Sequence, residues 1–105
     1  MTKILLIIMS EEEEKIRMPL SFAKNQIQNR NEIRIVFWGP SEKTLADNET
    51  LQESYRSLST IKPKACENTA KAHGLVEKLS KNLELMPVGG YIAKSIEEGY
   101  EVITF

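Results

Sequence analysis

Ile4 to Met9 is apolar at all six positions. Strands covered on both faces read this way, as in parallel sheets. Ile33 to Trp38, with Arg34 its one polar residue, is a second strand rich in β-branched and aromatic residues, and Gly39-Pro40 ends it. Three weaker stretches also read as strands. Ile61 to Ala65 contains Pro63, which lacks a donor N–H. Leu85 to Val88 contains Pro87, which places that strand at a sheet edge. Glu101 to Phe105 completes the set.

Helical patterns lie between these stretches. Ser10 to Glu13 fits a capping box, and Ile16, Leu20, Ala23 and Ile27 form the apolar stripe that follows. Pro19 conflicts with a continuous helix, so the helix is expected to begin near it or to kink there. Leu51, Tyr55 and Leu58 mark a second helix, opened by Asp47 or Asn48. A third runs from Glu67 to His73, with Gly74 as its cap and Val76 to Lys81 as a short continuation. Tyr91 to Glu98 is the last, closed by Gly99. Strands and helices therefore alternate. This predicts one α/β domain over residues 1–105, a parallel sheet with helices on both faces.

Composition narrows the function. Fourteen Lys and Arg against fifteen Asp and Glu leave a net charge of −1, with no electrostatic footprint for nucleic acid. The longest apolar run near the start is far short of the roughly 20 residues of a membrane span, falls below the roughly 7–15 of a signal-peptide core, and is followed at once by Glu11 to Glu14. No membrane association and a cytoplasmic location are expected. One cysteine and one histidine exclude an internal disulfide and disfavour a metal centre, so no metal is expected. Neither a phosphate-binding loop nor a dinucleotide fingerprint is present, and no cofactor is expected. Glu11 to Glu14 suit the first turn of a helix as a solvated face, and they would oppose a phosphate there.

Ligands of open α/β sheets sit outside the carboxyl ends of the strands. That rule selects Ser10, then Gly39, Pro40 and Ser41, then Cys66 and Asn68, then Gly89 and Gly90. The glycine pairs are more often plain turns than ligand cradles. Cys66 falls at a strand end and a helix start, where unpaired amides and the helix dipole favour the reactive thiolate. Glu67 beside it opposes this, and a free cysteine is commonly a buried packing residue. His73 lies two helical turns from Cys66, roughly 10 Å along the axis, too far for a Cys–His catalytic pair.

Several segments carry a family resemblance. They are Lys3 to Ile8, Phe22-Ala23, Ile35 to Pro40, Cys66 followed by Gly74-Leu75, and Glu98 to Phe105. In this order and spacing the chain resembles the DsrE/DsrF-like proteins, which include the DsrE and Tus sulfur-relay subunits. The resemblance implies a three-layer α/β/α sandwich with a five-stranded parallel sheet of order 4-3-2-1-5. It also implies a homo-oligomer, a trimer or a dimer of trimers. In relay members the cysteine at this spacing carries sulfur as a persulfide, a role that would fall to Cys66.

Two functions follow, and whether the protein is an enzyme stays open between them. In one, Cys66 is a sulfur carrier that takes sulfur from a donor protein and passes it to an acceptor thiol. In the other, the protein is a non-catalytic oligomeric binding or assembly subunit and Cys66 is structural. Trp38, Tyr55, Leu58 and Tyr91 are expected to be partly uncovered in a single subunit and buried by association.

Overall fold

The computed structural model describes residues 1–105. The strands are β1 (Lys3–Ile8), β2 (Glu32–Phe37), β3 (Lys64–Cys66), β4 (Glu84–Met86) and β5 (Glu101–Thr104). The helices are α1 (Glu13–Gln28), α2 (Pro40–Ala46), α3 (Glu49–Arg56), α4 (Glu67–Ala72), α5 (Val76–Ser80) and α6 (Val88–Glu97). All strands are parallel and join one sheet in the order β4-β3-β2-β1-β5. No helix is long and apolar enough to cross a membrane.

The topology dictates the layers. The first three crossovers each step one strand in the same direction, and the last returns from β4 past β1 to β5. Right-handed crossovers then put α1 to α5 on one face and α6 alone on the other. The buried side chains divide accordingly. Ile4, Leu6 and Ile8 pack with α1 to α5 in a cluster of 19 residues. Leu5, Ile7, Val36, Cys66 and Val88 form a separate cluster of five under α6. The result is a three-layer α/β/α sandwich with one thick and one thin helical layer. β4 lies at the edge, the expected place, although Pro87 itself falls just outside the strand.

Local details differ from the sequence reading, for identifiable reasons. α1 starts at Glu13 and runs through Pro19, because the ring is buried in the core and its packing offsets the missing hydrogen bond. The N-cap of α1 is Glu12, while the Ser10 hydroxyl oxygen accepts the Glu12 N–H at 3.1 Å from outside the helix. Asn48, not Asp47, caps α3 by accepting the Leu51 N–H at 3.0 Å. β3 begins later than expected, since Ser59–Ile61 forms a 3-10 turn and Pro63 precedes the strand. Pro87 is the N-cap of α6 instead of a strand residue, and Val88 is helical. α2 is an additional helix directly after Gly39. Tyr55 and Leu58 are buried in the main core, Tyr55 against Phe37 with ring centroids 5.9 Å apart, so neither is available to a partner.

Candidate functional site

α6 crosses its face of the sheet diagonally, from the carboxyl end of β4 to the amino ends of β2 and β1. Its start follows Met86 directly, and at its other end Glu98 binds Arg34 and its carbonyl accepts from Lys3. A diagonal helix leaves two triangles of sheet uncovered, and they are chemically different. The triangle at the amino ends of β2 to β4 is filled by a polar cluster. Arg34 donates to Ser95 Oγ and to Glu98, both at 2.9 Å, and its guanidinium lies over Tyr100 and Tyr91. Lys64 lies over Tyr91 and binds Glu84 at 2.6 Å. Those two cations hold the Glu98 and Glu84 carboxyls below the ordinary carboxylate range. Burial pushes the Tyr91 phenol up.

The other flank of α6, over β2, β1 and β5, carries exposed apolar side chains. Residues of one strand alternate between faces. Trp38 therefore follows Val36, Met9 follows Ile7, and Val102, paired with Leu5, points the same way. Met9, Trp38 and Val102 are 38–39% exposed. Ile96 is 55% exposed, on the flank of α6 opposite Tyr91 and Glu98. Met9 and Trp38 are neighbours just past the carboxyl ends of β1 and β2, while Val102 lies lower on the same face with Thr104 between it and the level of Met9; these exposed apolar side chains, with Ile96, are termed the apolar corner.

Cys66 ends β3 and is the N-cap of α4, with extended backbone and no side-chain capping bond. Its side chain is 6% exposed and packs under α6 with Leu5, Ile7, Val36 and Val88. The strand-end position expected from sequence is correct. The expected contact between the sulfur and first-turn amides of α4 is absent, because alternation along β3 turns Cys66 towards the α6 layer. Extending the β2–β3 register by one residue sets Trp38 beside it.

On the opposite face a cleft of about 420 Å³ opens between α2 and α4. Gly39 and Pro40 line it, with Lys43 and Thr44 of α2, Thr69 and His73 of α4, and Glu11. The adjacency of β2 and β3 creates it, since both helices start at neighbouring strand ends. Behind its wall Glu42 is fully buried. Its Oε2 accepts the Gly39 N–H at 3.1 Å, and Oε1 has no hydrogen-bond partner. Burial pushes this carboxyl up to about 7, against the pull of the Gly39 amide and the Thr69 hydroxyl.

The strand-end residues selected from sequence are thus dispersed. Gly39 and Pro40 reach the cleft. Ser41 is buried and its hydroxyl donates to Ile8 O at 2.6 Å. Asn68 is exposed on the first turn of α4, and Gly89 and Gly90 are exposed on the first turn of α6. Glu11 to Glu14 are all exposed, as their charge required. Lys43 and Glu42 escaped the sequence reading, since α2 is too short to show a periodic stripe, and Thr69 escaped it as a single polar residue of α4. The i,i+4 spacing of Thr69 and His73 was a usable signal, because such residues share a helix face.

No family model and no curated protein sequence matches the chain. Solved structures do. A conserved protein of unknown function from Bacteroides thetaiotaomicron, BT1422, is similar with TM-score 0.86 and 17% identity, over 98% of this chain and 95% of that one. A protein of unknown function from Methanobacterium thermoautotrophicum, MTH1491, gives TM-score 0.83 and 20% identity over the whole of both chains. The ychN protein of E. coli gives 0.71 and 12%, again over both whole chains. At these identities the likeness establishes the fold, which this chain shares with all three.

Proposed function

We propose that the protein is a DsrE/DsrF-like subunit that acts as a homo-oligomer, a trimer or dimer of trimers, and that Cys66 is a packing residue. The apolar corner formed by Met9, Trp38, Val102 and Ile96 carries this reading. Parallel sheets have both faces covered. Here the subunit's own thin layer leaves one corner bare, and a second copy seated there would bury an aromatic and three aliphatic side chains. Interface cores have this composition. The burial of Cys66 among aliphatic side chains supports the structural role for its thiol. Light scattering over a dilution series tests the assembly: a mass several times that of one chain is expected, and a monomer at micromolar concentration overturns it.

The position of Cys66 favours a second reading, the persulfide carrier. It ends β3 beside Trp38, so a neighbour on the corner would border the thiol. In this reading the Cys66 thiolate attacks the sulfane sulfur of a donor protein's persulfide. The S–S bond breaks, the donor leaves as a thiolate, and Cys66–S–SH remains. An acceptor thiolate then attacks the outer sulfur and Cys66 departs as thiolate. Intact mass after treatment with a sulfane donor decides. No adduct, or an equal adduct on Cys66→Ala, excludes the carrier.

A further inference from the structure

Glu42 is the only buried carboxyl in the chain. A carboxyl out of water costs free energy unless it is paired, and buried polar atoms without a partner are rare enough in native proteins to need a reason. The Gly39 N–H satisfies Oε2, while Oε1 is left unpaired. Glu42 has one structural task, accepting the Gly39 N–H from the third position of α2, and a neutral Gln would serve it equally, so the cap does not demand an ionisable side chain. The groups that draw on Glu42 are Gly39 and Thr69, and both line the cleft between α2 and α4. Glu42 therefore stands directly behind the cleft wall.

The cleft carries further unspent chemistry. Lys43 and His73 both line it, and neither forms an ion pair. The Thr44 hydroxyl is used, donating to Glu11 O at 2.8 Å. Glu11 is the one carboxylate on the wall and disfavours a highly charged ligand. Glu67, on the first turn of α4, is neutralised by Lys71 at 2.8 Å.

We propose that this cleft binds a small oxyanion between Lys43 and His73, with the Thr69 hydroxyl linking the bound anion to a protonated Glu42. The proton on Glu42 removes a negative charge that would repel the ligand. It also lets the carboxyl donate to Thr69 Oγ1 while the Thr69 O–H donates to the anion. Binding is therefore coupled to proton uptake by Glu42 and weakens as that proton is lost. A carboxylate ligand and an inorganic oxyanion share this chemistry.

Acetate and sulfate, whose charges are constant between about pH 6 and about pH 8.5, are titrated separately into the full chain while its NMR resonances are followed. Saturable shifts at Gly39, Lys43, Thr69 and His73 are expected, and Lys43→Ala should weaken them by about tenfold. A response to acetate alone assigns a carboxylate ligand, and a response to sulfate alone an inorganic oxyanion. The pH arm is run in a His73→Gln background. There the affinity should still fall several-fold from the lower to the higher pH, and Glu42→Gln should abolish that fall. If Glu42→Gln does not fold, Thr69→Val cuts the same link and should abolish the fall instead. No saturable shift with either anion, or a pH-dependent loss that survives these substitutions, overturns the proposal.

Discussion

The guanidinium carbon of Arg34 lies 4.1 Å from the centroid of the Tyr100 ring. The contact joins the middle of β2 to the turn that feeds β5, two places 66 residues apart in sequence. Together with the Ser95 and Glu98 bonds it clamps the end of α6 onto the sheet. The thin helical layer is therefore fastened by polar contacts at one end and by Val88 at the other.

Arg34→Ala should accordingly lower stability by about 1–3 kcal/mol, the range for a partly buried cation–π contact with charge-assisted hydrogen bonds. Urea unfolding measures it. Arg34→Lys should recover only part, because an ammonium cannot serve two acceptors and stack on a ring at once. Full recovery by Lys would mean that charge alone matters.

Stability should fall as pH rises from about 4.5 to about 7, and Glu42 is the cause. Its folded-state pKa of about 7 lies above the ordinary value of 4.5. Between those values the native state binds more protons than the unfolded chain, so its contribution is complete below about 4.5 and is lost as pH rises through about 7. The loss is on the order of 3 kcal/mol by pH 8. Glu42→Gln should match wild type near pH 5 and exceed it at pH 8. Glu84 and Glu98 act in the opposite sense: their pKa values are lowered, so their stabilisation is lost as pH falls below the carboxylate range. Thermal melts from about pH 2 to about pH 9 should show both limbs.

The glycines should separate into two kinds. Gly39 has φ +75° and ψ −135°, a conformation that L side chains rarely adopt, and open space where a Cβ would go. Gly39→Ala should cost about 1–3 kcal/mol from the backbone alone. Gly90 is helical, exposed and equally open. Gly90→Ala should stabilise by about 0.5–1 kcal/mol. A loss at Gly90 would point to a close backbone approach by something that binds there.

Much of this fold was legible in the chain because β1 is apolar on both faces and β2 is so apart from Arg34. Ile4 to Ile8 and Ile33 to Phe37 leave little choice except a covered parallel sheet. α2 was not legible: seven residues with Leu45 and Ala46 as the only apolar ones show no period. The end of β3 was legible, since Cys66 precedes a helical stripe. Its surroundings were not, because they depend on which way α6 crosses. The cleft was hidden for a related reason, since Lys43 and Thr69 meet only through the pairing of β2 with β3.

Cys66 should react slowly with an alkylating reagent in the native protein and rapidly in denaturant. The thiol is 6% exposed beneath α6, so modification must await local opening. Cys66→Ser should destabilise more than Cys66→Ala, since a hydroxyl among Leu5, Ile7 and Val36 has no partner. Fast native alkylation, with a persulfide formed from a sulfane donor, would move the balance to the carrier.

The central claim is that copies of this chain assemble through the apolar corner, and the molar mass of wild type beside Trp38→Glu tests it most directly. Trp38 is the chain's only tryptophan and one of the corner's exposed side chains, while the two buried clusters hold none of its atoms. The substitution should therefore leave the subunit folded while placing a charge in the contact. Sedimentation equilibrium at micromolar concentration should give an oligomer for wild type and a monomer with unchanged circular dichroism for Trp38→Glu. A wild-type monomer, or an oligomer that survives the substitution intact, would contradict the account.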